Sequence, residues 1–386
     1  MSITISEADV NTQTSEVSQD DAALLEYLPN SLPLSARQRK YRLQEAAAWL
    51  VPEERVNWCS RRAHSPVEIR KNGIGGCFFH GLARCGSVWY CAVCASKIAE
   101  VRRSELQKAS AAGYSMFLVT ITLQHFRGDK LNELLEDLNN AWSETRSGRA
   151  WQAIEAKYQI VASCSGLENT FSQENGHHPH KHIIFYSSLP DDQLDVEVFQ
   201  EELSSRWRAI LQKHDHYGSE YYAVKVTKNK EEQAGYLSKW GIVEEVTKSQ
   251  SKRGQEEHYS MWELLELAAS GVYWARAAWL EYAAAVKGRR WLVWSKGARK
   301  LFNLDNKTDQ EIAEEEPEEP PCEVIYKLSN EEWLLVRRME KRCQLLEVAE
   351  RQGAEGVQKM LFTLKKLLMQ REAIEKLDAI YEMDVS

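Results

Sequence analysis

Two apolar runs, YQIVASCSGLENTF at 158–171 and HIIFYS at 182–187, are separated by nothing more than SQENGHHPHK. A connection that short forces the two strands to pair antiparallel, because a parallel crossover needs a dozen or more residues. Asn175-Gly176 marks the turn. Upstream, FLVTITL reads as another strand, with Thr120 and Thr122 on the face opposite Val119, Ile121 and Leu123. LNELLEDLNNAWSETR is helical and gathers Leu131, Leu134, Leu135, Leu138 and Trp142 on one side. VEVFQEELSSRWRAIL predicts a helix, YYAVKVT a strand and EEQAGYLSKW a helix; 261–287 reads as one or two helices. From 330 to 382 the pattern is helical, interrupted around Gly353 and Gly356. Helices alternating with antiparallel strands predict an α+β class, an antiparallel central sheet with flanking helices.

Charge is uneven along the 386 residues. Residues 1–30 carry six acids and no Lys or Arg, and 311–323 carry seven glutamates among three prolines. The net charge of −8 comes from these two segments; the remainder is modestly basic, with 14 Lys/Arg against 6 Asp/Glu in 37–108. Basic patches attract phosphate backbones but also serve as plain solvated surface, so charge alone does not name a function. No apolar run approaches the ~20 residues that cross a bilayer. The first residues, without a base or an apolar stretch, do not read as a secretory signal. The expectation is a cytoplasmic protein with no membrane partner.

Four of the ten histidines fall in HHPHKH at 177–182. On a strand, residues i and i+2 share a face, so His180 and His182 present two imidazoles together. Glu168 on the partner strand lies within a few rungs of His180 if the hairpin turns at Asn175-Gly176. Two imidazoles and a carboxylate hold a divalent ion with positions left open, and mixed N/O ligation suits Mn2+ at least as well as Mg2+. A second constellation stands on the EEQAGYLSKW helix, where Glu232, Tyr236 and Lys239 occupy i, i+4 and i+7 of one stripe. Taken alone it is a tyrosine packed on a sheet beside exposed charges. Combined with a metal that polarises a phosphodiester, the Tyr236 hydroxyl becomes a nucleophile. Lys239 then steadies the phosphate or favours the phenolate. Glu232 activates the water or hydroxyl that releases the adduct.

A His-Pro-His-x-His strand followed some 50 residues later by a Tyr-x-x-Lys helix resembles the HUH endonucleases, and within them the single-tyrosine initiators of rolling-circle plasmid replication. The likeness covers roughly 114–305, including WLEYAAAVKGRRWLVWSKGARKLF. It implies His180 and His182 as metal ligands, Tyr236 as nucleophile and Glu232 as the acidic residue of termination, with Glu168 as third ligand a weaker assignment. It also implies single-stranded or hairpin origin DNA as substrate, a 5′-phosphotyrosine intermediate, and a host polymerase. A host helicase is implied too, since the chain has no GxxxxGK[ST] motif. The residue between the histidines is Lys181, where that superfamily carries a bulky hydrophobic, so this face is expected to meet solvent or DNA. A single-strand transposase or relaxase shares the same residues, and a non-catalytic zinc-containing DNA-binding regulator is a rival of another class.

CFFHGLARCGSVWYCAVC places Cys77, Cys85, Cys91 and Cys94 as C-x7-C-x5-C-x2-C. Four thiolates close a tetrahedral structural Zn2+ site, and His80 or Cys59 can substitute for one of them. A disulfide framework is disfavoured in a reducing compartment. RCGSVWYCAVCASKI also resembles a cysteine-rich segment ahead of the nuclease domain in some of these initiators. Arg84, Lys97, Arg102 and Arg103 beside it are candidate DNA-binding residues, with a solvated helix face as the equal alternative. Trp274, Trp279, Trp291 and Trp294 are candidates for base stacking or, more simply, for core packing. The expected organisation is a disordered acidic N-terminus (1–35), a basic zinc module (36–113), a nuclease domain with a helical extension (114–310), a Glu/Pro linker (311–329) and a C-terminal helical region (330–386). Near-heptad leucines in that last region fit either a helical hairpin docked on the body or a seam for a homo-oligomer.

Overall fold

The computed structural model describes residues 34–228, 258–315 and 322–384. In chain order the elements are α1 (Ala36–Leu50), β1 (Ala63–Lys71), β2 (Cys77–Leu82), α2 (Ala92–Ser110), β3 (Ser115–Thr122), α3 (Leu131–Thr145), α4 (Gly148–Lys157), β4 (Ile160–Ser172), β5 (Gly176–Ser187), α5 (Val196–Lys213) and β6 (Val224–Thr227). There follow β7 (Tyr259–Ser260), α6 (Met261–Ala269), α7 (Tyr273–Ala285), β8 (Leu292–Trp294), α8 (Ala298–Leu301), α9 (Asp309–Glu314), β9 (Glu323–Lys327), α10 (Asn330–Arg338) and α11 (Arg342–Asp384). They form two compact units, one from Ser35–His64 and Leu82–Pro317, the other built on Ser65–Gly81 and Glu318–Ser386.

The larger unit is organised on an antiparallel sheet of order β6-β3-β5-β4-β7, with β8 also paired to β4. Its spine is the β4–β5 hairpin, whose pairing runs to Ser172↔Gly176. The histidines expected in the turn are therefore in the strand, Phe171↔His177 and Thr170↔His178 being true rungs. Gly176 makes this possible: its φ of +78° is left-handed, which a residue without Cβ adopts at no steric cost, and Ser172 Oγ accepts from Asn175 N at 3.0 Å.

The two faces of the sheet differ. Phe117, Val119, Ile121, Ile183 and Phe185 point to one side and are buried under α3, α4 and α5. Phe117 stacks on Phe185 at 5.3 Å and meets Phe199 edge-on at 4.8 Å; Trp142 lies 6.4 Å from Trp207. The five residues expected on the apolar side of α3 are all buried there. On the opposite face Leu118, Cys164, Ile184 and Tyr186 are covered by Leu106 and Ala109 of α2 and by Ala298 and Phe302. Among the described residues that cover lies over one end of the strands, away from the histidines. The four tryptophans considered for base stacking pack within the fold: Trp279 is fully buried, Trp274 stacks on Phe171, Trp294 on Tyr186, and Trp291 lies against the core.

The smaller unit holds the sheet β2-β1-β9 and the C-terminal helices. β9 runs antiparallel to β1, with Glu68 opposite Lys327. Phe79 meets Trp333 of α10 edge-on at 5.2 Å. α10 opens with a capping box from Ser329 and Glu332. α11 breaks at Gly353 (φ 62°, ψ −153°), one of the two glycines where an interruption is expected. Two sequence expectations change. Residues 36–113, expected as one module, divide between the units. The Glu/Pro stretch 311–329 is not a bare linker: Thr308 and Glu311 box the start of α9, and 323–327 is strand.

Candidate metal centres and their surroundings

At the other end of the strands, pairing sets His180 beside Glu168 and opposite Thr122, and His182 beside Gly166 and opposite Thr120. All these side chains share one face, because directly opposed residues in an antiparallel pair point the same way. Glu168 Oε2 lies 3.3 Å from His180 Nε2 and 2.9 Å from His182 Nε2. Ligands adjacent in an octahedron of ~2.1 Å bonds stand about 3.0 Å apart, so this spacing fits a divalent ion. The outer nitrogens are also fixed. His180 Nδ1 lies 3.2 Å from the His178 carbonyl, to which it can only donate, and His182 Nδ1 lies 2.9 Å from Thr120 Oγ1. Both contacts fix the rings with Nε2 toward Glu168.

The charges agree with a binding site. Surrounding protein pushes the Glu168 carboxyl up, but hydrogen bonds to His180 and His182 outweigh it and hold the group well below the usual carboxylate range. Desolvation lowers His182 to about 4, only partly offset by Glu168. His180 moves the other way: desolvation is overcome by the hydrogen bond to Glu168, and its pKa rises. The other two histidines do not reach the carboxylate. His178 stacks on His125 at 4.6 Å and bonds Thr122 Oγ1 at 2.9 Å; His177 is buried beside Asn169. Desolvation holds them neutral, at about 3 and about 4.

Lys181 departs from expectation. It pairs with Ile121 and Leu167 on the helix-covered face, half-buried, where desolvation and the nearby Arg146 and Arg289 lower its pKa to about 8. It points away from Glu168, not toward solvent or substrate on that face. Thr120 is the positioning residue that sequence reading did not single out. Thr120→Val should weaken Mn2+ binding by about 10- to 100-fold, read by electron paramagnetic resonance titration of free Mn2+, with the melting temperature little changed; unchanged affinity would remove Thr120 from the site.

The second cluster is buried. Cys59, Cys85, Cys91 and Cys94 bring their sulfurs within 4.8 Å of one another. Measured separations are 3.5 Å (Cys59–Cys94), 3.7 Å (Cys59–Cys91) and 3.8 Å (Cys85–Cys94). A tetrahedron of ~2.3 Å Zn–S bonds has edges of about 3.8 Å, whereas a disulfide requires about 2.05 Å. The cluster can therefore hold a structural metal such as zinc. Hydrogen bonds from the other three sulfurs pull the Cys59 thiol far down. Cys85 is pushed up by its bond to Cys59, and Cys91 by burial.

The fourth thiol is Cys59 and not Cys77. Pairing between Ser60 N and Ala83 O at 2.8 Å and between Ala83 N and Arg62 O at 2.9 Å closes the base of the β1–β2 excursion, which sets Cys59 beside Cys85. Cys77 sits at the far end of β2, where its N–H donates to Glu350 at 2.6 Å.

The four basic residues near the cysteines are largely committed within the fold. Arg102, 5% exposed, binds Glu105 and Asp309, each at 2.7 Å, and the Lys307 carbonyl. Lys97 caps α9 through the carbonyls of Ala313 and Glu315. Arg103 pairs with Glu100 one turn away. Arg84 donates to Ser60 and lies against the thiols: burial lowers its pKa, but Tyr41 and then Cys94, Cys59 and Cys91 raise it further, so it offsets thiolate charge. For Arg102 in particular, burial between two carboxylates replaces the expected phosphate contact. Glu232, Tyr236 and Lys239 lie outside the described residues.

Among the described residues no helix is long and apolar enough to cross a membrane. No protein-family model matches the chain, and no solved structure matches it. The chain is 24% identical over 311 residues to a protein named Protein rep, from Streptomyces lividans, covering 62% of this chain and 68% of that protein. It is also 24% identical over 146 residues to a neomycin resistance protein of Streptomyces cyanogenus, covering 31% of this chain and 33% of that protein.

Proposed function

We propose that the protein is a rolling-circle replication initiator: a metal-dependent single-strand DNA endonuclease and strand-joining enzyme that acts through Tyr236. The observation that carries this reading is the convergence of His180 Nε2, His182 Nε2 and Glu168 Oε2 on one point at one end of the sheet. The likeness to Protein rep supports a replication role.

A Mn2+ or Mg2+ ion held by these three residues would polarise the scissile phosphate. The Tyr236 hydroxyl loses its proton and forms the new P–O bond. The P–O3′ bond breaks, and the departing oxygen takes a proton to become the free 3′-hydroxyl. Lys239, three residues further along, neutralises charge on the phosphate or on the phenolate. Glu232 later takes a proton from the hydroxyl that displaces the tyrosine. Because one phosphodiester replaces another, the ends can be rejoined without an external energy source. The 3′-hydroxyl primes a host polymerase, with a host helicase acting in trans.

The test is a denaturing gel of the full chain with fluorescent single-stranded DNA from its own replicon and Mn2+. A shifted, SDS-resistant band should appear and should vanish in Tyr236→Phe. Binding on a native gel without any such band would replace this reading with that of a non-catalytic DNA-binding regulator.

A further inference from the structure

Four large aromatic side chains stand almost free in solvent beside the sheet end that carries the histidines. Phe126 is 63% exposed, Tyr217 70%, Tyr221 79% and Tyr222 80%. Scattered exposed aromatics need no explanation, but these sit on two loops bound to each other and to β3. Gln124 N donates to the Tyr217 carbonyl at 2.9 Å, and Thr122 N donates to the Ala223 carbonyl at 3.1 Å. Asp129 accepts from Phe126 N at 2.7 Å, Ser219 Oγ accepts from Tyr221 N at 3.3 Å, and the Ser219 carbonyl accepts from Ala223 N at 3.1 Å. Gly218 is held so closely that a Cβ there would meet the Ala223 Cβ at 2.8 Å. The backbone is tied down and the rings are left out.

Position gives the rings a direction. Thr122, the last residue of β3, is opposite His180, and the loop bearing Tyr221 and Tyr222 leads straight into β6. On β6, Lys225 pairs with Thr120, which pairs in turn with His182, so lysine, threonine and histidine share one face in a single row. Lys225 is exposed. An exposed cation one strand removed from Thr120, flanked by rigidly carried rings, matches the two things a single strand presents: phosphates and unpaired bases.

We propose that Phe126, Tyr217, Tyr221 and Tyr222 form a stacking platform for single-stranded DNA, with Lys225 contacting a phosphate of the strand as it leads to Glu168, His180 and His182. The inference rests on the reading of that site as one that handles single-stranded DNA. Every base has a π-face, so the platform confers grip without sequence preference. A duplex, whose bases are stacked internally, gains nothing from it.

The test uses the full chain and a fluorescein-labelled mixed-sequence single strand in buffer without added Mn2+ or Mg2+, where binding is read by anisotropy without nicking. Tyr221→Ala with Tyr222→Ala should weaken binding by about 10-fold or more, while Tyr221→Phe with Tyr222→Phe should bind as wild type. Lys225→Gln should lower the salt dependence by about one phosphate contact. Unchanged affinity in the alanine pair overturns the platform, and so does an equal loss in the phenylalanine pair, which would assign the effect to the hydroxyls. A third variant guards against misfolding: the fluorescence that Tyr222→Trp adds over the 13 native tryptophans, read as the difference from wild type, should be quenched by the single strand and not by duplex, and no quenching of that difference also overturns the proposal. The two readings separate cleanly. Platform-dependent binding without any Tyr236 adduct keeps the platform and removes the enzyme; an adduct formed by a protein whose alanine pair binds normally does the reverse.

Discussion

Cys59→Ser should abolish zinc retention and cooperative folding together, whereas Cys77→Ser should keep one zinc per chain. The expectation follows from the sulfur geometry: Cys59 lies 3.5 Å from Cys94 and 3.7 Å from Cys91, while Cys77 sits at the start of another strand. Binding of structural zinc contributes on the order of 10 kcal/mol, comparable with the whole stability of a domain. Loss of one of four ligands should therefore be read as loss of the folded state. Metal analysis of the purified variants beside a thermal melt is the measurement. Zinc retained by Cys59→Ser and lost by Cys77→Ser would reverse the assignment. The effect should extend beyond the cysteines, because all four belong to the same apolar core as Val119 and Ile121 of β3 and Leu138 of α3.

The other large effect concerns the histidines. His180→Ala and His182→Ala should each lower nicking in Mn2+ by on the order of 10³-fold, as expected when a polarising ion worth several kcal/mol is no longer held. Zinc content should be unaffected, and the melting temperature should shift little, because the Glu168 carboxylate left behind is 42% exposed and can be hydrated. Glu168→Gln should fall nearly as far, since an amide keeps the shape but not the charge. His178→Ala serves as the contrast: its ring does not reach Glu168, so its loss should cost far less. Undiminished nicking in the His180 and His182 variants would remove the metal assignment.

What sequence reveals here follows from how local each relation is. The hairpin, its turn and the shared face of His180, His182 and Glu168 were legible because a period of two and a short connection leave little freedom. The apolar side of α3 was legible for the corresponding reason at a period of 3.6. Cys59 was harder. Its spacing to Cys85 carries no signature, since it depends on the chain leaving at Arg62 and returning at Ala83. The partners of the basic residues were not legible because a charge does not announce its partner: Arg102 meets Asp309 from more than 200 positions away. Trp274, Trp279, Trp291 and Trp294 drew attention, yet they pack inside, and three of the four exposed rings beside the histidine end are tyrosines in a short polar loop with no periodicity to mark them.

The β2-β1-β9 sheet has a consequence for any attempt to divide the protein. Its outer strand β9 comes from the far end of the chain, so a polypeptide stopped before residue 318 would lose that strand along with α10 and α11. β1 would then display an unpaired ladder from Glu68 to Lys71, in a two-stranded remnant that is marginal in water. Bare edges of this kind recruit other chains. A shortened protein should therefore suffer first in solubility, however complete its sheet and histidines. The C-terminal region is in this sense an edge guard for residues near the beginning of the fold, and the cleanest way to study its other roles is by substitution on its surface rather than by removal.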